Sequence, residues 1–269
     1  HIGRKQDIKK YVKNISKTHK LLIKHFMPGP ISIIFDKAEN VSNVACAGGQ
    51  TVAIRMPENK VAQKFINYCN LPICAPSANT SKRPSPTNAN HVYDDLNGKI
   101  KLIIDGGETL VGIESTVVKV ENNIIYILRA GKINKQMLEK ATKLTVVDKI
   151  DSDKIPQSPG TKYTHYKPLC DMIMVKSDIV NNTIKLYDNL VASNKKPIIF
   201  CCAANLEAYG NRNIKVLGKN SEDASHNLFN YLRLAENNFD CIIAEYFSNG
   251  DMVDGLFNRM IKASSGKIV

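Results

Sequence analysis

Residues 149–168, KIDSDKIPQSPGTKYTHYKP, contain three prolines and show neither the two-residue nor the 3.6-residue apolar period. Proline fixes φ and removes a backbone donor, so no helix interior or central strand runs through such a stretch. The segment therefore divides the chain, and it reads as a linker between two separately packed parts. Length agrees, because 269 residues make two domains the natural expectation.

Beyond the linker, over 169–269, the pattern is regular. DMIMV, PIIFCC, NIKVLG and DCIIAEY are almost wholly apolar, and they alternate with the helical stretches SDIVNNTIKLYDNLVASN and SEDASHNLFNYLRLAENN, a shorter helix, and a last one through GLFNRMIKAS. Strands without polar alternation are buried on both faces, which predicts a parallel sheet covered on both sides, a small doubly wound domain. Residues 1–148 are organised differently. ISIIF, TVAIRM, LPICAPSAN and KLIID read as strands, and STVVKV and IIYILR as a hairpin joined at Asn122-Asn123. IKKYVKNISKTHKLLIKHF has helical spacing up to the Pro28-Gly29-Pro30 turn, and in ENKVAQKFINYC Val61, Phe65 and Cys69 share one helical face. Ser85 or Thr87 is expected to cap the helix after SPTNANHVYDDL begins. The consequence is a mixed α/β sheet with antiparallel hairpins.

Charge separates the halves further. Residues 1–150 carry 23 basic and 12 acidic side chains, against 14 and 13 in the remainder, so the first half is the part that meets anions. Such a balance suits a nucleoside triphosphate, RNA, or a merely lysine-rich surface. The seven cysteines are odd in number, form no CxxC, and mostly lie in apolar runs, so they read as reduced thiols of a cytoplasmic protein, with no metal implied. No apolar run approaches the roughly 20 residues of a membrane span. Walker-type, GxGxxG, HExxH and GxSxG signatures are absent.

Three polar stretches could carry chemistry. Ala75 to Thr87, APSANTSKRPSPT, gathers hydroxyls and two cations after a predicted strand, donors suited to phosphate oxygens, though the same string also serves as a capping loop. Arg55 shares a strand face with Thr51 and Ala53, either inside an ion pair or offering its fork to a carboxylate. Glu114-Ser115-Thr116 and Arg129 stand at strand ends. In the linker, aromatics interleaved with Lys could stack on a base or fasten the linker to a domain.

MPGPISIIF, TVAIRMP, APSANTSKRPSPTNANHV, IIDGG with GIESTVV, ILRAG and above all SPGTKYTHYKP together resemble the threonylcarbamoyl-AMP synthase family, in its two-domain form. The resemblance implies a YrdC-like catalytic domain over 1–148, a mixed twisted sheet with helices, then the linker and a Rossmann-like domain over 169–269. It implies an L-threonylcarbamoyladenylate synthase, a nucleotidyltransferase that makes threonylcarbamoyl-AMP and pyrophosphate from ATP, bicarbonate and L-threonine, with Mg²⁺ accompanying ATP. The product would serve N6-threonylcarbamoyladenosine formation in tRNA through downstream threonylcarbamoyl-transferase proteins. By position, Thr51, Ser77, Asn79, Ser85 and Arg129 match nucleotide contacts, while His1, Arg55, Ala75 and Ser115 match positions around threonine. His165 or Tyr166 would bring the linker over the nucleotide. No nucleophilic side chain is implied, since positioning and electrostatics can carry the reaction.

The family's earliest motifs, a PTET-like strand and a Lys-x-Arg-Pro segment ahead of the matched histidine, do not occur in this sequence. The expectation is an N-terminally incomplete chain, whose activity as it stands depends on whether the retained residues suffice to build the site. The alternative from another class is a YrdC-like protein that binds double-stranded RNA or tRNA without catalysis, through the basic first half. A carbamoyl-transfer domain of a maturation enzyme lacks its zinc-finger cysteines and its acylphosphatase-like segment here. For the C-terminal domain, which has no dinucleotide fingerprint, the expectation is a structural or gating role through the linker.

Overall fold

A computed structural model describes residues 1–148 and 165–269, so the SPGTKYT stretch at 158–164 lies outside the described residues. Two asparagines show how local sequence sets the first sheet. Asn122 and Asn123 adopt φ of 49° and 62°, the left-handed pair that a two-residue hairpin turn requires and that asparagine tolerates. They join β3 (Thr116–Glu121) to antiparallel β4 (Ile124–Arg129). With β1 (Ile31–Asp36), β2 (Thr51–Ile54) and β5 (Val146–Asp148), the sheet has the mixed order β2-β1-β3-β4-β5. Ile31, Ile33, Ile54 and Val118 face Leu22 of α1 (Lys17–Phe26) and Leu138 of α4 (Lys135–Thr142). Across the sheet, among the described residues, Ile34, Val117 and Leu128 form a small cluster with Tyr126 packed against it. Because Ile34 pairs with Ala53 and Asp36 with Thr51, that sparsely apolar face is also the one bearing Ser32, Thr51 and Arg55.

The second sheet is the doubly wound one. β6 (Asp171–Val175), β9 (Cys241–Glu245), β7 (Pro197–Cys202) and β8 (Ile214–Gly218) are all parallel, in the order β6-β9-β7-β8. Met172, Phe200 and Ile242 pack on α6 (Ser221–Ala235) and α7 (Val253–Ala263). Their neighbours Val175, Ile199 and Ile243 pack on α5 (Ile179–Ala192) and on Tyr209 of the 3-10 helix Ala203–Tyr209. Both faces are therefore covered, as uninterrupted apolar strands demand.

The chain divides into two compact units, His1–Pro76 with Glu114–Thr161, and Ser77–Ile113 with Lys162–Val269. This differs from a single cut at 149–168. Residues 77–113 belong with the C-terminal part because Arg233 of α6 grips Asp95 and the Pro84 carbonyl, and because Gly112 lies flush against the α6 backbone at Ser225 and His226.

Local expectations are corrected at several places. KLIID and LPICAPSAN form no strand among the described residues; Leu71, Leu102 and Ile104 are exposed, so neither run gains the burial that holds a strand in a sheet. The expected long first helix is a 3-10 helix, Lys5–Lys10, followed by α1, which restarts at Lys17 because Ser16 and His19 cap it reciprocally. α3 (Ala89–Leu96) is capped by Asn88, which accepts from His91 N at 3.0 Å, and not by Ser85 or Thr87. In α2 (Lys60–Cys69) Val61 and Phe65 are exposed, and Ile66 is the residue turned inward. No described helix is long and apolar enough to cross a membrane.

Candidate active site

In the first unit a short run of backbone contacts carries one polar cluster along the sparsely apolar sheet face. The Pro28-Gly29-Pro30 turn is held at both sides: Gly29 N donates to Met56 O at 2.9 Å, and Thr116 N donates to Pro30 O at 3.0 Å. It thereby joins the end of β2, where Arg55 stands, to the start of β3, where Ser115 stands. Arg55 Nε donates to Gly29 O at 3.2 Å. Ile2 N donates to Arg55 O and Ile73 N to His1 O, each at 3.0 Å, so His1 lies beside the same strand end.

Ser115 is the hub of the cluster. It is buried, and its Oγ lies 2.9 Å from Ser32 Oγ and 3.1 Å from Arg129 Nη2. Arg129 also donates from Nε and Nη2 to Ser115 O at 3.0 and 2.9 Å, which fixes its guanidinium plane. Gly131 makes this close approach possible, since a Cβ there would stand 2.6 Å from Thr116 N and 2.7 Å from Glu114 O. Ser32 is a residue the sequence reading missed. Its signal was present, as the one polar side chain between Ile31 and Ile33.

Arg129 is thus tied to Ser115, whereas Arg55 bonds a backbone carbonyl, Gly29 O. Arg55 is half-buried, and among the described residues no carboxylate lies within ion-pair distance of it. Burial lowers its guanidinium from the ordinary value, yet arginine starts so high that it stays a cation at neutral pH. Of the two readings of Arg55, an internal ion pair is thus not what the described residues provide. A cation held this way, with Nε on a glycine carbonyl, can bind a carboxylate through its two Nη groups.

The remaining candidates fall as follows. Thr51 opens β2, half-buried, and Ala75 is exposed; both belong to the first unit. Ser77, Asn79, Ser85, His165 and Tyr166 belong to the second. Ser77 is exposed and Ser85 half-buried. Asn79 braces its own loop, its Nδ2 donating to Thr80 O at 2.9 Å and to Arg83 O at 3.2 Å. Tyr166 is buried, with its ring 5.1 Å from that of Phe229 in a stacked arrangement. That packing makes Tyr166 part of the C-terminal core, whereas His165 is half-buried beside it.

The donor set of the first-unit cluster is hydroxylic and cationic. Among the described residues no group of three or more His, Cys, Asp or Glu side chains stands ready for a metal. A protein-held Mg²⁺ does not fit such a set, because that ion asks for oxygen anions.

Comparison with known proteins bears on the same regions. Residues 1–131 match the Sua5/YciO/YrdC family model, described as telomere recombination, and residues 133–265 match one described as threonylcarbamoyl-AMP synthase, C-terminal domain. The threonylcarbamoyl-AMP synthase of Pyrococcus abyssi is 34% identical over 275 residues, spanning 100% of this chain and 80% of that protein. Its counterpart in Bacillus subtilis is 36% identical over 258 residues, spanning 93% and 74%. A crystal structure of P. abyssi Sua5 complexed with L-threonine superimposes with a TM-score of 0.91 at 34% identity, covering 100% of this chain and 80% of that one.

Proposed function

The chain belongs to the threonylcarbamoyl-AMP synthase family, with both of its domains, and from that premise we propose which substrates and residues carry the synthesis. The substrates are ATP, bicarbonate and L-threonine. The threonine amine takes up bicarbonate with loss of water, and the resulting carbamate oxygen attacks the α-phosphorus of ATP. Pyrophosphate leaves and threonylcarbamoyl-AMP remains.

Arg55 holds the threonine carboxylate, with Ser115, Ala75 and His1 around the amino acid. The observation that carries this assignment is the half-buried Arg55 guanidinium without a protein carboxylate among the described residues, on the sheet face of Ser32, whose hydroxyl bonds a buried Ser115 held by Arg129. Thr51, Ser77, Asn79, Ser85 and Arg129 serve the nucleotide, and of the two linker residues His165 is the one that remains for it, since the Tyr166 ring is taken into the C-terminal core. Mg²⁺ arrives on the phosphates of ATP, not on a protein cage. No side chain becomes covalently linked to substrate: holding carbamate and α-phosphate in line, and neutralising the charge that develops, supplies the rate.

The product is an activated donor for N6-threonylcarbamoyladenosine in tRNA, passed to threonylcarbamoyl-transferase proteins. Seven cysteines free of disulfides suit a reducing, cytoplasmic compartment. RNA binding without catalysis is disfavoured by relatives at 34–36% identity over most of the chain, which are named as synthases.

The test is pyrophosphate release together with mass-spectrometric detection of threonylcarbamoyl-AMP. Expected is product formation that needs ATP, Mg²⁺, bicarbonate and L-threonine together. Pyrophosphate release indifferent to L-threonine would overturn the assignment.

A further inference from the structure

No substrate is matched to Arg233 by sequence, yet it is among the most completely engaged side chains of the second unit. Its side chain is 6% exposed and that of Asp95 only 2%. Nη1 and Nη2 donate to the two Asp95 carboxylate oxygens at 3.2 and 2.7 Å, while Nη2 and Nε also donate to Pro84 O at 2.7 and 3.2 Å. Asp95 Oδ2 accepts in addition from Thr80 N at 3.0 Å. Arg83, from the same loop, bonds Glu236 of the α6 C-cap, and Glu236 Oε2 accepts from Leu169 N at 3.0 Å. Two cations and two anions thus balance, with Arg233, Asp95 and Glu236 almost wholly buried and Arg83 partly exposed, so that removing Arg233 leaves a buried charge uncompensated.

What this quartet holds is the turn from Thr80 to Pro84. Lys82 there adopts a φ of 76°, a left-handed conformation that an L residue keeps only when its surroundings impose it. Ser77, Asn79 and Ser85 flank the turn, and donors to a phosphate need placement to within about 0.5 Å to be effective. We propose that Arg233 is a positioning residue for the synthase reaction: through Asp95 and Pro84 O it sets the backbone of the Thr80–Pro84 turn and hence the reach of Ser77 and Ser85 toward ATP. The C-terminal doubly wound part contributes to nucleotide binding in this way without touching the nucleotide. The inference rests on the assignment of Ser77 and Ser85 to ATP.

Steady-state kinetics on the whole chain test it, with Arg233→Met, Arg233→Lys, Asp95→Asn, and Ser77→Ala and Ser85→Ala as controls. The expected result is an ATP KM raised tenfold or more in Arg233→Met, with the L-threonine KM within twofold of the parent. Arg233→Lys keeps the charge but cannot serve both Asp95 oxygens and Pro84 O, so its melting temperature should stay near the parent's while its ATP KM remains raised several-fold. Should Arg233→Met not fold, Arg233→Lys and Asp95→Asn carry the same reading. An ATP KM within twofold of the parent in the Arg233 variants overturns the inference, as does a parallel rise in both KM values, which marks a purely structural role. If the serine controls raise the ATP KM and the Arg233 variants do not, this inference alone falls; if neither set moves it, the nucleotide assignment of the loop falls as well.

Discussion

Replacing Arg55 with Met isolates what its guanidinium does. The fold should barely notice. The variant loses one hydrogen bond, Nε to Gly29 O at 3.2 Å, a net contribution of about 0.5–1.5 kcal/mol. It also removes a cation that burial already disfavours, which offsets part of that loss. At about 2–4 °C per kcal/mol for a chain of this size class, the melting temperature should fall by no more than a few degrees. L-threonine binding should respond far more strongly. A hydrogen bond to a charged group contributes about 1.5–3 kcal/mol, so losing even one such bond to the carboxylate weakens L-threonine by about 10- to 150-fold. Calorimetric titration with L-threonine, beside a thermal melt, reads both quantities. Arg55→Lys should not restore affinity, because an ammonium cannot present the planar fork. An L-threonine Kd within threefold of the parent, or a melting temperature lowered by more than about ten degrees, refutes the reasoning: the first denies the carboxylate contact, the second makes Arg55 a structural residue.

Other expectations follow from the same geometry. Gly131→Ala inserts a Cβ 2.6 Å from Thr116 N, an overpacking of about 1–3 kcal/mol that should displace Ser115, so stability and L-threonine affinity fall together; a melt and titration matching the parent would refute it. His91 is lowered from its usual value by burial first and by Arg233 second, and its Nδ1 accepts from Thr87 N at 3.2 Å, so the folded protein holds the neutral ring. The stability this confers is present above the unfolded value of about 6.5 and is lost as pH falls below it; His91→Gln should flatten the decline in melting temperature between pH 7 and 5, and an unchanged slope would count against it. Burial pushes the thiols of Cys170 and Cys201 up to about 12 and that of Cys241 up to about 11, whereas Cys74 is exposed. A thiol reagent at pH 8 should therefore label Cys74 first, and equally fast labelling of Cys201 by peptide mapping would contradict the packing.

The parts legible in the sequence are those fixed by near neighbours. Uninterrupted apolar strands gave away a sheet buried on two faces, and an Asn-Asn pair between alternating runs marked the hairpin. Arg55, Ser115 and Arg129 were visible as polar residues at strand ends; Arg129 bonds Ser115, and Arg55 bonds Gly29 O. The Arg233–Asp95 pair was not visible, because each residue taken alone looks like an ordinary charge on a solvated helix and nothing local says that a partner lies 138 positions away. KLIID misled for a related reason: its residues suit a strand, but a strand is held by a buried face, and Leu102 and Ile104 are left exposed by the packing of the rest of the chain.

The interleaving of the two units has a consequence for the order in which the chain can mature on the ribosome. Asp95 emerges 138 residues before Arg233, an interval of roughly 7–30 s at synthesis rates of 5–20 residues per second. During that time residues 77–113 have left the ribosome but most of the unit they belong to has not been made, and Asp95 remains hydrated instead of paired. Co-translational folding should therefore be able to close the first unit around a loop that is still open, with the second closing only after α6 has been released.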